Sequence, residues 1–258
     1  MRPDFFNYEK PLFCAMIQHA TPEGCIKKIE DSIAEGAEAL GIQLCKLERE
    51  YRTEEHLKSI FSACCGLPIY ITSYRTGKSE GYTDEECVEL LLLGLDAGLS
   101  TGNMMLCDVI GDLFGRSPQY ELATDTEAIS RQRALIDEIH RRGGYVLMSS
   151  HTHKDISTDE SVMIAMAQAE RGADVIKIVN RSESKETVIN HLSAITKITS
   201  MTDKKLLLLV SGEGRIVRYI GANFGVCMYL CVAYYNELDT KEQPTIAKLR
   251  AIRENLTV

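Results

Sequence analysis

Eight times along the chain a short apolar run gives way to a longer amphipathic one, and this alternation constrains the fold more than any other feature. The apolar runs are LFCAMIQ (12–18), ALGIQLCKL (39–47), LPIYITSY (67–74), NMMLCDVI (103–110), GYVLMSSH (144–151), DVIKIVN (174–180), KKLLLLVSG (204–212) and GVCMYLCVAYY (225–235). Between them lie segments with apolar residues at helical spacing. One of these, TDEECVELLLLGLDAG, opens on Thr83 as an N-cap with Glu86 in capping-box position, and the last, PTIAKLRAIREN, opens on Pro244, whose missing N–H costs least at a helix start. Strands alternating with helices imply a parallel sheet covered by helices. Eight such units in 258 residues fit an α/β (β/α)8 TIM barrel better than an open doubly wound sheet. No G-x-G-x-x-G follows the first strand, which removes the main support for a dinucleotide-binding fold. Without a Pro/Gly/Ser linker, residues 1–258 read as one domain.

Composition narrows the function classes. With 29 Lys+Arg against 37 Asp+Glu the net charge is −8, which argues against a nucleic-acid partner. The nine cysteines are scattered singly within apolar runs and form no CxxC pair, so reduced core thiols in a cytoplasmic protein are expected rather than disulfides or a metal site. The N-terminus lacks an apolar signal core, and the apolar stretches are too short or interrupted for a membrane span. A soluble chain without membrane contact, with room for a homodimer, is the expectation.

In a barrel, chemistry sits where strands end on the C-terminal face. That rule selects Arg75 and Glu80 after strand 3, Asp108 on strand 4, His151 and His153 at the end of strand 5, Lys177 in strand 6 and Arg218 after strand 7. Lys177 stands in the otherwise apolar run DVIKIV. Burial there favours the neutral amine, which can attack a carbonyl and form a Schiff base, although a lysine in a strand can equally snorkel or pair with a carboxylate. His151, one strand away, is placed for acid–base work near neutral pH. The His151-x-His153 spelling also allows a metal pair, for which no convincing further His or Cys ligand is evident. Arg75 and Arg218 suit a carboxylate or phosphate. The remaining histidines, His19, His56, His140 and His191, read as surface or capping residues on helices and a loop start.

These residues carry a resemblance. VLMSSHTH followed by RGADVIKIVNRSES is similar to type I 3-dehydroquinate dehydratase, which reads V-x-x-S-x-H and then G-A-D-x-x-K-I-A. Arg75 and Glu80, Asp108, the Gly214-x-x-x-Arg218 turn and Gln243 near the last helix follow in the family's order. The resemblance implies a (β/α)8 barrel and a cofactor-free, metal-free dehydration of 3-dehydroquinate, or of a related cyclic keto-acid, to an unsaturated product. It implies that Lys177 condenses with the substrate ketone, that His151 serves as base and then acid, and that Glu80 orients His151. It also implies a substrate-binding set of Arg218 on the carboxylate with Arg75, Asp108, Gln243 and Gln43.

The departures lie in the substrate-contacting shell. Gly41-Ile42-Gln43 stands where the family has E-L-R, Ile110 replaces an acid, Leu209-Val210-Ser211 replaces S-M-G, and Asp239 falls loosely at a loop serine. Such changes alter which substrate groups can be satisfied. Three readings follow: a lyase working through Lys177 and His151, a catalytically silent barrel that senses a shikimate-pathway-like metabolite, and a metal-dependent barrel using His151, His153 and a carboxylate.

Overall fold

The computed structural model describes residues 3–75 and 82–256, so Glu80 lies outside the described residues. In chain order the elements are β1 (Leu12–Ile17), α1 (Pro22–Ala34), β2 (Ala39–Gln43), α2 (Glu54–Ser62), β3 (Ile69–Thr72), α3 (Asp84–Ser100), β4 (Met105–Ile110), α4 (Thr126–Arg142), β5 (Tyr145–His151), α5 (Thr158–Glu170), β6 (Val175–Ser182), α6 (Val188–Met201), β7 (Lys205–Gly212), the short α7 (Val217–Ile220), β8 (Met228–Cys231) and α8 (Ile246–Asn255). Hydrogen bonding orders the strands β7-β6-β5-β4-β3-β2-β1-β8, the sequential order of a (β/α)8 sheet with β8 beside β1. All eight expected strands form. The last is only four residues long, because the Tyr234–Tyr235 end of the run turns into the following loop. Pro244 does not open α8: Thr245 is the N-cap, and the Pro244 carbonyl accepts from Val232 N at 3.0 Å.

Caps set the helix starts. Thr83 and Ser157 each accept from the backbone N–H three residues on, while Glu86 and Glu160 reach back to the cap residue, giving complete capping boxes on α3 and α5. Thr21 and Thr53 cap α1 and α2 from their side chains.

The chain divides into two compact units. The first comprises Met1–Asp108, Arg142–Gly144 and Tyr229–Val258. Here β1, β2 and β3 run parallel, with Met16 opposite Gly41 and Gly41 opposite Tyr70. Partners in a parallel ladder project to one face, so these three share it. A Cβ on Gly41 would stand 2.2 Å from Met16 Sδ and 3.3 Å from Tyr70 Cδ1, so the missing side chain is the space those two occupy. β1 and β3 are buried throughout, as expected for parallel strands covered on both faces.

The second unit comprises Val109–Arg141 and Tyr145–Met228. Its β5, β6 and β7 are parallel, pairing Ser149 with Lys177 and Leu207, and His151 with Val179 and Leu209. Lys177 and His151 therefore project from one sheet face, His151 lying one pleat nearer the strands' C-terminal ends. His191 of α6 is fully buried against this unit's interior, contrary to the surface or capping role expected for it. Its Nδ1 meets Asn180 Nδ2 at 3.4 Å, and burial holds the imidazole below its ordinary pKa.

Candidate active site

In the second unit, Lys177 is 3 % exposed. Its main chain is clamped by Gln168 of α5, whose Oε1 accepts from Lys177 N and whose Nε2 donates to Lys177 O, both at 3.1 Å. The same amide donates to Ser150 Oγ at 3.0 Å, and Ser150 Oγ donates to Glu121 O at 3.0 Å. Gln168 and Ser150 thus tie the lysine's strand to the segment that carries Glu121.

The carboxylate partner of His151 among the described residues is Glu121, from the segment between β4 and α4: its Oε1 lies 2.8 Å from His151 Nδ1. An acceptor on Nδ1 stabilises the Nδ1–H tautomer and leaves Nε2 with the lone pair, the form a general base requires. The His153 ring stacks on His151 with centroids 6.0 Å apart and planes 22° apart. Burial, then the neighbouring His151 and Arg181, lower the His153 pKa, while Glu121 opposes them. Arg181, two pleats beyond Lys177 on β6, adds a guanidinium on that face. Arg218 is 7 % exposed and donates from Nε to Val210 O at 2.8 Å, which fixes its guanidinium beside the C-terminal end of β7.

In the first unit, Asp108 is buried and accepts from two phenols through one oxygen, Tyr70 OH and, at 2.6 Å, Tyr74 OH. Burial, reinforced by the Asp108 charge, pushes the Tyr70 phenol well above its ordinary pKa, so it stays a donor. Arg75 Nε pairs with Asp84 at the start of α3. Gln43 Oε1 accepts from Gln18 Nε2 at 2.7 Å. Gln243 is 5 % exposed, and its Oε1 is a buried acceptor without a hydrogen-bond donor among the described residues, as is Thr72 Oγ1. Among the described residues, no group of three or more His, Cys, Asp or Glu side chains is arranged to hold a metal ion.

From residue 13 to residue 258 the chain matches the family model of type I 3-dehydroquinase. The chain belongs to that family. Among type I 3-dehydroquinases and their kin, it is 28 % identical over 204 residues to the 3-dehydroquinate dehydratase of Klebsiella pneumoniae, covering 78 % of this chain and 74 % of the relative. The crystal structure of the Geobacillus kaustophilus 3-dehydroquinate dehydratase superposes with a TM-score of 0.80 at 16 % identity, over 97 % of this chain and 93 % of that one. The type I enzyme of Clostridium difficile, solved with covalently modified comenic acid, gives 0.79 at 16 % identity, over 99 % and 98 %. At such identities the structures establish the fold, and it is the (β/α)8 barrel expected from the alternation.

Sequence reasoning singled out Lys177, His151, Glu80, Arg218, Asp108, Arg75, Gln43 and Gln243 for this type I 3-dehydroquinase, of which Glu80 lies outside the described residues, and it did not single out Glu121, Tyr70, Tyr74 and Arg181 beside them. Period-2 reading places Tyr70, Thr72 and Tyr74 on one side of the third strand, which was a usable signal. Glu121 had none, because it sits in an irregular segment where spacing carries no geometry.

Proposed function

We propose that the chain is a Schiff-base hydro-lyase that dehydrates 3-dehydroquinate or a closely related cyclic keto-acid. The observation that carries this reading is the burial of Lys177 on the same sheet face as His151, whose Nδ1 is held by a carboxylate. In this mechanism the Lys177 amine adds to the substrate ketone and expels water, leaving an iminium. His151 Nε2 removes the proton from the neighbouring carbon, and the C–H electron pair flows to the iminium nitrogen as an enamine. The enamine then collapses, breaking the β C–O bond, and the protonated His151 delivers its proton so that hydroxide departs as water. Hydrolysis of the product iminium restores Lys177. Arg218 is proposed to hold the substrate carboxylate, and Arg75, Asp108, Gln43 and Gln243 to bind the rest of the substrate. The nine cysteines, eight of them buried among core residues, favour a reducing compartment, and no helix among the described residues is long and apolar enough to cross a membrane.

Borohydride reduction in the presence of 3-dehydroquinate tests the reading. The expected result is a substrate-derived mass adduct on Lys177 that is absent from K177A. If neither 3-dehydroquinate nor related cyclic keto-acids leave an adduct on Lys177, the Schiff-base mechanism is wrong. A ligand-induced rise in melting temperature without turnover would point instead to a metabolite-sensing barrel.

A further inference from the structure

We infer that Glu121 is a positioning residue for His151, and that the segment 111–123 is built to present it. The inference rests on the lyase reading for its kinetic consequences, but its geometry stands alone. Glu121 occupies the left-handed region at φ +48°, which side chains other than glycine seldom adopt because Cβ crowds the backbone. Such a conformation persists only where its surroundings over-determine it, and it concentrates at functional sites.

The surroundings do over-determine it. Glu121 N donates to Ser117 O at 3.1 Å, and Glu121 O accepts from Ser150 Oγ at 3.0 Å. Two residues on, Ala123 N donates to Gly111 O at 2.9 Å. Arg171, at the end of α5 and 6 % exposed, donates to Gly111 O, to Ala123 O and to Gln132 Oε1, while Gln132 Nε2 donates to Gly111 O and Leu113 O. Arg171 thus turns its buried guanidinium on main-chain oxygens that bracket Glu121 on both sides. Burial lowers its pKa, the mark of a cation withdrawn from water. Gly111 completes the arrangement. A Cβ there would stand 2.6 Å from Glu121 O and 2.9 Å from Ser149 O, both main-chain atoms that cannot swing aside. Only glycine lets the Glu121 backbone approach β4 and β5 closely enough for its carboxylate to reach His151 Nδ1.

The resemblance assigns this orienting role to Glu80, whose spacing from Arg75 is one residue longer than the family's. Glu121 reaches the same imidazole from a different loop. A carboxylate on Nδ1 selects the base-competent tautomer, fixes the ring and stabilises the imidazolium formed after proton abstraction.

Two measurements test it on the full-length chain. In 15N-histidine NMR of the ligand-free protein, His151, assigned with H151Q, is expected as the Nδ1–H tautomer. E121A and G111A should both lose that signature. With 3-dehydroquinate, E121A is expected to lower kcat by about 10²-fold with KM little changed, while borohydride still traps an adduct on Lys177. E121Q retains an acceptor for Nδ1–H and loses only the charge, so its tautomer should persist and its kcat fall less than that of E121A. If G111A does not fold, E121A carries the comparison, since the Glu121 side chain is 24 % exposed. A His151 resonance unchanged in folded E121A or G111A overturns the inference. Failure to trap wild-type Lys177 counts against the lyase reading instead, and the tautomer comparison still decides on Glu121.

Discussion

Replacing Lys28 by methionine should destabilise the chain severely, and a second substitution should undo most of the damage. Lys28 of α1 reaches both carboxylate oxygens of Asp239, and the two side chains are 1 % and 0 % exposed. Burial pulls the Lys28 ammonium below its ordinary pKa, opposed by the Asp239 hydrogen bond and charge, so the pair is held against a real desolvation cost. Asp239 also accepts from Asn236 N at 2.6 Å, and the same loop is pinned to Gln18 through Asn236 Nδ2 (2.8 Å) and Thr240 N (3.0 Å). Removing one member of a buried ion pair strands the other charge and costs about 3–5 kcal/mol. With a urea m-value of about 3 kcal/mol/M for a chain of this size, K28M should lower the unfolding midpoint by about 1–1.7 M. D239N should lose a comparable amount, because it strands the ammonium while preserving an acceptor for Asn236 N. In K28M/D239N no charge is buried, and stability should return to within about 2 kcal/mol of wild type. Urea unfolding followed by far-UV circular dichroism and tyrosine fluorescence measures all three, the chain having no tryptophan. If the single losses simply add in the double variant, to about 6–10 kcal/mol, stranded charge is not the cause and the reasoning fails.

Two further expectations concern pH and substrate. His153 and His191 both have folded pKa values below the ordinary one, so the unfolded chain binds protons more readily, and stability should fall as pH drops below about 6.5 through the depressed folded values. H191Q should flatten part of that decline in melting temperature between pH 7 and pH 5, and an unchanged slope would remove His191 as a contributor. Gln243 Oε1 is a buried acceptor lacking a donor among the described residues, so on the proposed function Q243A should raise KM about tenfold, the worth of one hydrogen bond to a substrate hydroxyl, with kcat much less affected; steady-state kinetics would show otherwise if KM held.

What was legible in the sequence was what depends on periodicity. Strand alternation gave the barrel, and an ammonium interrupting DVIKIV marked Lys177 because period-2 burial makes a polar residue in an apolar run conspicuous. The capping box at Thr83 and Glu86 was legible because both partners lie within one helical turn. Illegible features depend on residues far apart in the chain. Glu121 finds His151 through its own left-handed backbone, a glycine ten positions earlier and an arginine at the end of α5, none of which declares its partner. His191 was misread because helical position alone does not say which face is buried. The strand-2 departure was visible as Gly41, but its physical meaning, room for Met16 and Tyr70, needed the register.

The thiols have a practical consequence. Eight of the nine cysteines are buried, and Cys65 alone is exposed, at φ +54° just past α2. Burial pushes the Cys25 and Cys227 thiols up to about 12 and Cys87 to about 11, and raises Cys64, Cys107 and Cys231 further, so these sulfurs are protonated and sheltered from alkylation. A thiol-specific reagent should therefore consume one equivalent quickly, at Cys65, and the rest only as fast as the chain opens. The buried thiols sample β1, β4, β8, α1, α3 and the ends of β2 and α2, so resolving their alkylation by mass spectrometry reads local opening at each position without any engineered probe. The wild-type chain is thus already labelled for mapping which parts of the barrel breathe.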